Sequence, residues 1–185
     1  MILNKSNPDS IFKTSDILKK GGICILPTDT VYGFSSVVCN ENENKIKNIK
    51  GRAENKPFIQ LISSPKEISM YTDDYIPESL ISFWPGPLTI ILNDKRNPGK
   101  TTAFRCPGDE WIRSVIKETG NPIFSTSVNH SGLPVLTLEK DIVSEFEKEV
   151  DLIVLDGDSK GTVPSTIVKI QEGNIIVVRE GAVKL

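Results

Sequence analysis

Short runs of apolar, often β-branched residues recur along this chain, and helix-length segments separate many of them. Runs of this length, bounded by turn residues, predict buried strands. Strands are expected at 23–26, 57–62, 88–92, 101–106, 122–127, 152–155, 165–170 and 174–179. Helices are expected at 10–20, 42–50, 64–70, 77–83, 109–118 and 138–146, the last one capped by Thr137. The last two strands are joined at Glu172-Gly173, which predicts a hairpin. Strands that alternate with helices, followed by a closing hairpin, predict an α/β fold with a mixed parallel and antiparallel sheet.

Length and composition restrict the class of protein. The chain has 185 residues, which predicts one domain spanning 1–185, since domains typically take ~100–200 residues. No apolar run approaches the ~20 residues that cross a bilayer, and the first residues lack signal-peptide features, so we expect no membrane association and a cytoplasmic location. The net charge of -2 argues against a surface dedicated to nucleic acid. With one histidine and no Cys-x-x-Cys, zinc sites and His-dependent nucleophiles are disfavoured.

The segment 27–33, Pro-Thr-Asp-Thr-Val-Tyr-Gly, directly follows the first predicted strand. Sites are often built on loops at strand ends, so Thr28, Asp29, Thr30 and Tyr32 could line a pocket. An Asp/Thr turn explains the same residues without any function, and local chemistry alone favours that interpretation.

A cluster of cations marks the end of the helix predicted at 42–50. Lys50 and Arg52 flank Gly51, and Lys56 follows four residues after Arg52. Such a cluster can bind phosphates, the arginine through two parallel hydrogen bonds and the lysines as point charges. The alternative is a favourable interaction with the helix dipole.

Two later segments place polar groups in or after apolar strands. Segment 125–132, Ser-Thr-Ser-Val-Asn-His-Ser-Gly, can recognise a nucleotide or an amino acid through neutral hydrogen bonds, or can form a simple turn. Arg105 lies inside an apolar strand, where a charge requires a partner, an edge position or a ligand. Its planar fork suits a carboxylate. Neither a P-loop nor a G-x-G-x-x-G motif occurs, so any nucleotide site lies outside those motifs.

Seven motifs in the same order resemble those of one family. They are residues 27–33, 49–52 with Lys56-Pro57, 84–89, 104–107, 127–132, 165–168 and 179–181. Together they span nearly the whole chain, and the sequence is identified as a member of the YrdC/TsaC type of threonylcarbamoyl-adenylate synthases. The resemblance implies a YrdC-like twisted sheet with flanking helices and a large, basic concave cavity.

The resemblance also implies a reaction. L-threonine, bicarbonate and ATP would give threonylcarbamoyl-AMP and pyrophosphate in a nucleotidyl transfer. Downstream threonylcarbamoyl-transferase proteins would then modify adenosine 37 of tRNA, giving t6A. Mg2+ is expected on the triphosphate of ATP, although no acidic cluster identifies a protein ligand for it. Direct tRNA contact, and the choice between a monomer and a homodimer, stay open.

The family pattern assigns roles by position. The residues implied in catalysis are Lys50, Arg52, Ser127 and Asn129. Those implied in L-threonine binding are Thr30, Arg105, Ser127 and Ser165, with Arg105 on the carboxylate. Those implied in ATP binding are Arg52, Lys56, Thr101, Asn129, Thr137 and Arg179. Several positions depart from the pattern. Ala53 stands where members often carry a proline, Leu61 where several carry a histidine that contacts threonine, and Glu180 follows Arg179 in place of the usual proline-containing form.

Two other functions remain open from the sequence. One is a related carbamoyl-adenylate enzyme with a different acceptor, and the other is an RNA-binding module with the same fold. The presence of both the Lys50/Arg52 and the Ser127/Asn129 pairs favours threonine chemistry. The acidic net charge counts against RNA binding.

Overall fold

The computed structural model describes residues 1–51, 57–171 and 173–185. The helices are α1 (Ser10–Lys19), α2 (Asn40–Ile49), α3 (Glu78–Ile81), α4 (Glu110–Thr119) and α5 (Glu139–Phe146), with a 3-10 helix at Pro65–Met70. The strands are β1 (Ile2–Asn4), β2 (Cys24–Leu26), β3 (Gly33–Ser35), β4 (Ile59–Leu61), β5 (Leu88–Asn93), β6 (Thr101–Arg105), β7 (Ile123–Ser127), β8 (Leu152–Leu155), β9 (Thr166–Gln171) and β10 (Asn174–Arg179).

Within the described residues, these strands form one ten-stranded sheet in the order β1-β8-β2-β3-β7-β4-β6-β5-β9-β10. The pairs β1/β8, β2/β8, β4/β6 and β5/β9 are parallel. The pairs β2/β3, β3/β7, β4/β7, β5/β6 and β9/β10 are antiparallel. The mixed α/β sheet that the sequence predicts is therefore confirmed, including the closing hairpin.

Helices cover both faces of the sheet around β2 and β8. Side chains alternate along a strand, so Cys24 and Leu26 of β2 face one side and Ile25 faces the other. The first side packs against α1 and α4 in a cluster that contains Leu18 and Ile116. The second side packs against α2 and α5 in a cluster with Ile25, Ile46, Ile142 and Phe146. Burial on both faces explains why β2 and β8 read as unbroken apolar runs.

The other half of the sheet is packed differently on its two faces. Phe104 of β6 belongs to a third buried cluster, which includes Leu80 of α3, Ile90 of β5 and Val168 of β9. Arg105 follows Phe104 in the same strand and therefore points to the opposite face, where polar side chains gather.

The structure differs from the sequence predictions in a few elements. Strands β1 and β3 were not predicted, because Ile2-Leu3-Asn4 and Gly33-Phe34-Ser35 contain at most two apolar residues each. Thr137 does not cap α5. The N-cap position belongs to Leu138, and Asp158 accepts the Glu139 N–H at 3.0 Å instead. Residues 65–70 form a 3-10 helix, with Ser64 accepting from the Lys66 N–H as its cap. In the described part of the chain, every helix is too short or too polar to cross a membrane.

Candidate active site

A cavity of about 370 Å³ lies where loop 27–32 meets the ends of five strands. The described residues that line it are Thr30, Val31, Tyr32, Pro57, Phe58, Ile59, Arg105, Ser125, Thr126, Ser127, Val135, Pro164, Ser165, Ile167 and Arg179. This set includes two arginines and no carboxylate, so its formal charge is positive. Five hydroxyls of serine and threonine, at positions 30, 125, 126, 127 and 165, add neutral donors and acceptors. A cavity with this lining suits a small polar anion.

Arg105 is the most buried cation of the cavity, with 4% of its surface exposed. Its Nε donates to the Gly86 carbonyl at 3.0 Å, Nη1 donates to Thr30 Oγ1 at 2.9 Å, and Nη2 donates to Asp29 Oδ1 at 2.5 Å. Burial lowers the pKa of Arg105, and the Asp29 carboxylate acts in the opposite direction. A charge inside an apolar strand requires a partner, and for Arg105 that partner is Asp29. An edge position does not explain the charge, because β6 is an interior strand of the sheet.

Loop 27–32 is held in shape by its own side chains. Thr28 Oγ1 accepts the Thr30 N–H at 3.1 Å and donates to the Val31 carbonyl at 2.9 Å. Gly33 then begins β3 against β7, and a Cβ at Gly33 would lie 2.7 Å from Ser125 Oγ. A larger residue at position 33 would therefore require the Ser125 side chain to move. The segment 27–33 thus combines a turn with a wall of the cavity.

Ser165 contacts both Arg179, the second arginine of the cavity, and Thr89 of β5. Its Oγ lies 2.8 Å from Thr89 Oγ1, and Arg179 donates to the Ser165 carbonyl at 2.7 Å through Nη2 and to Ser165 Oγ at 3.1 Å. The pKa of Arg179 is lowered by burial and by the positive charge of Arg105. The two arginines thus lie near enough to repel each other, which a bound anion would relieve.

Lys50 forms hydrogen bonds with the loop that follows β7. Its buried ammonium donates to the Ser127 carbonyl at 2.5 Å, to the Asn129 carbonyl at 2.9 Å and to Asn129 Oδ1 at 3.0 Å. Ser127 Oγ donates to Asn129 Oδ1 at 2.7 Å, and Asn129 Nδ2 donates to the His130 and Leu133 carbonyls. The three predicted catalytic residues within the described ranges therefore form one network.

Other predicted site residues lie elsewhere. Thr101 lines a second cavity of about 610 Å³, which shares Pro57 and Phe58 with the first. The Thr137 carbonyl accepts from the Ser159 N–H at 2.8 Å, and its side chain is outside the lining of the first cavity. Arg52 and Lys56 lie outside the described residues. Leu61 is buried in the core between β4 and α4, so it offers a ligand no polar contact.

Sequence reasoning left Asp29 and Tyr32 undecided, and the structure gives both a partner. Tyr32 donates to the Gly157 carbonyl at 2.8 Å and accepts the Asp156 N–H at 2.8 Å, and burial raises its pKa. Asp29 pairs with Arg105. The signal for that pair was present in the sequence, as an arginine in an apolar strand and an aspartate in a polar motif. Nothing local joined them, because 76 residues separate the two.

Histidine-based catalysis and a protein-held metal ion find no support in the described part of the chain. His130 is half-buried and pairs with Glu145 at 2.8 Å, and it is not among the described residues that line the cavity. Among described residues, no group of three or more His, Cys, Asp or Glu side chains could hold a metal ion.

Comparison with known proteins places the chain in one family. The Sua5/YciO/YrdC family model, described as "Telomere recombination", matches residues 16–181. A putative threonylcarbamoyl-AMP synthase of Methanocaldococcus jannaschii is 36% identical, over 97% of this chain and 91% of its own length. The threonylcarbamoyl-AMP synthase of Pyrococcus abyssi is 29% identical, over 91% of this chain and 53% of its own length.

Solved structures are similar over nearly the whole chain. P. abyssi Sua5 complexed with L-threonine has a TM-score of 0.87 and 26% identity, and the match covers 98% of this chain and 57% of that one. E. coli YciO has a TM-score of 0.84 and 27% identity, covering 98% and 94% of the two chains. This chain therefore spans about half the length of the P. abyssi protein and nearly all of the other two relatives.

Proposed function

Because the chain belongs to the Sua5/YciO/YrdC family, we propose that it is an L-threonylcarbamoyladenylate synthase. It would make threonylcarbamoyl-AMP and pyrophosphate from L-threonine, bicarbonate and ATP. The names of the M. jannaschii and P. abyssi relatives support the activity, and the P. abyssi complex supports L-threonine as a ligand.

The state of Arg105 is the observation that carries the proposal. A guanidinium has five N–H donors, and described contacts use one on Nε, one on Nη1 and one on Nη2. Each terminal nitrogen therefore retains one N–H on a residue that lines the cavity. Two N–H groups on neighbouring nitrogens match the two oxygens of a carboxylate. Thr30, Ser127 and Ser165 line the same cavity and can bind the remaining polar groups of L-threonine.

The reaction then requires positioning and charge neutralisation. The amine of L-threonine attacks the carbon of bicarbonate, water leaves, and an N-carboxy anion forms. An oxygen of that anion attacks the α-phosphorus of ATP. The bond from the α-phosphorus to the bridging oxygen breaks, and its electron pair leaves with pyrophosphate. Transfers of this kind are accelerated mainly by alignment and by cations.

The cations for the phosphate side come from several segments. Arg179 lies at the cavity next to Ser165, and Arg52, Lys56 and Lys50 are the further candidates. Lys50 Nζ donates to three oxygens of the loop after β7, so it would exchange one of them for a phosphate oxygen. This exchange would link nucleotide binding to the position of that loop.

Mg2+ would enter with the triphosphate of ATP, where it neutralises charge on the leaving pyrophosphate. The described residues offer no acidic cluster of their own for it. Downstream threonylcarbamoyl-transferase proteins would take up the product for tRNA modification. A cytoplasmic location fits that role.

The test is pyrophosphate release from ATP, measured with and without L-threonine and bicarbonate. We expect that release requires both and that Lys50→Ala or Arg52→Ala abolishes it. Release without L-threonine would instead favour a carbamoyl-adenylate enzyme with another acceptor. Absence of release together with tight RNA binding would favour the RNA-binding alternative.

A further inference from the structure

Asp29 lies beside the cavity and connects two segments of the chain. Its Oδ1 accepts from Arg105 Nη2 at 2.5 Å, and its Oδ2 accepts the Gly108 N–H at 2.9 Å. The side chain is 19% exposed, while that of Arg105 is 5% exposed. Asp29 is not among the described residues that line the cavity, and its described side-chain contact with a lining residue is the one to Arg105.

The approach of Asp29 to the segment after β6 is sterically tight. A Cβ at Gly108 would lie 3.0 Å from Asp29 Oδ2, so glycine permits the contact. The Gly86 carbonyl holds Nε of the same guanidinium, and the Gly86 N–H donates to the Cys106 carbonyl at 2.8 Å. Asp29 and Gly86 are therefore anchored themselves, and they bind the guanidinium at different nitrogens.

We propose that Asp29 is a positioning residue for substrate recognition, which fixes the plane of the Arg105 guanidinium so that its free N–H pair meets the carboxylate of L-threonine. The inference rests on the proposed function and adds a residue to its recognition site. A planar fork gains two hydrogen bonds only when its plane is aligned with the carboxylate. Preorganisation of this kind improves affinity by removing the entropy of ordering.

Asp29 also sets the charge of the site. Arg105 and Arg179 are both close to the cavity, and Asp29 supplies the negative charge that offsets the burial of Arg105. A carboxylate in direct contact with Arg105 competes with an incoming carboxylate, yet it occupies only one N–H of Nη2. The pair thus stabilises the charged arginine and still leaves it able to bind.

A purely structural ion pair would behave differently from a positioning residue. Loss of a structural pair lowers the stability and reduces the active fraction, which leaves the affinity of the folded protein for both substrates unchanged. Loss of positioning weakens L-threonine binding selectively. The two roles are distinguished by measuring the affinities for L-threonine and for ATP separately, on protein shown to be folded.

The experiment measures L-threonine and ATP dissociation constants by calorimetry for the wild type, Asp29→Ala and Asp29→Asn. Asp109→Asn is the matched control, because Asp109 is a nearby carboxylate that pairs with Lys5 at 2.6 Å and caps α4 without lining the cavity. We expect Asp29→Ala to weaken L-threonine binding by about tenfold or more, the equivalent of one charge-assisted hydrogen bond. ATP affinity should change by less than about twofold on the same scale.

Asp29→Asn should recover part of the affinity, since its amide oxygen still accepts from Arg105 Nη2. This variant also keeps the shape of the side chain, so it provides the measurement if Asp29→Ala fails to fold. Unchanged L-threonine affinity in a folded Asp29 variant, or equal weakening of L-threonine and ATP, would overturn the inference alone. A wild type that binds no L-threonine would overturn the proposed function and the inference with it.

Discussion

Arg105→Lys is the substitution whose effect the structure specifies most closely. A lysine at this position has three N–H donors on one atom. The arginine already uses three donors for Gly86, Thr30 and Asp29, so a lysine with the same three partners would keep no donor for the carboxylate. Each hydrogen bond to a charged group contributes ~1.5–3 kcal/mol. Loss of the bidentate contact should therefore cost about 3 kcal/mol, which corresponds to ~100-fold weaker L-threonine binding.

Calorimetric titration with L-threonine measures this change directly, and pyrophosphate release at saturating ATP gives the matching rise in KM. Arg96→Lys is the control, because Arg96 also pairs with an aspartate, at 2.8 Å from Asp94, and stacks on Tyr71 outside the cavity lining. The control should leave L-threonine affinity within about twofold of the wild type. If Arg105→Lys folds and binds L-threonine as tightly as the wild type, Arg105 is not the carboxylate anchor and the reasoning fails.

Three further outcomes follow from particular contacts. Gly33→Ala places a Cβ 2.7 Å from Ser125 Oγ, so we expect a loss of about 1–3 kcal/mol in the free energy of unfolding, measured by urea denaturation. Ser165→Ala removes the hydroxyl that Arg179 and Thr89 contact, and should weaken L-threonine binding by about tenfold in calorimetry; unchanged affinity would remove Ser165 from the site. Burial by itself would raise the pKa of Asp94, but hydrogen bonds led by those from Arg96 lower it to about 2. Since the unfolded value is higher, this stabilisation of about 2 kcal/mol is present above pH ~4 and lost as the pH falls toward 2, so thermal unfolding of Asp94→Asn should depend less on pH in that range.

The sheet illustrates what the sequence predicts well. The apolar, β-branched runs of β5, β7, β8, β9 and β10 located these strands to within a residue or two. In β8 the run reflects burial on both faces of the sheet, whereas all six residues of β10 are exposed. Strands β1 and β3 were missed because Ile2-Leu3-Asn4 and Gly33-Phe34-Ser35 contain at most two apolar residues each. The equally short strands β2 and β4 were found because they lie inside longer apolar runs. Thr137 was expected to cap α5, whereas a contact from Asp158, 19 residues away from Glu139, takes that place.

The candidate site was predicted residue by residue through the family resemblance. Thr30, Arg105, Ser127 and Ser165 do line a single cavity together with Arg179, while their roles toward L-threonine and ATP stay predictions. Thr101 and Thr137 are not among the described residues that line that cavity. Thr101 lines a second cavity, and the Thr137 carbonyl accepts the Ser159 N–H. Lys50 was expected to face phosphate, and it donates to the loop that carries Asn129.

The sequence by itself determined the fold class, the family and which segments carry polar groups at strand ends, because those properties depend on local periodicity and on motifs read in order. The tertiary structure decided which polar groups meet. The stretch 27–33 looked like an ordinary turn, and it does form one through Thr28. It becomes part of a site only because β6 brings Arg105 against Asp29 and Thr30 across the sheet. Pairs so distant in sequence leave no local signal, and burial of the arginine makes its partner obligatory once the chain has folded.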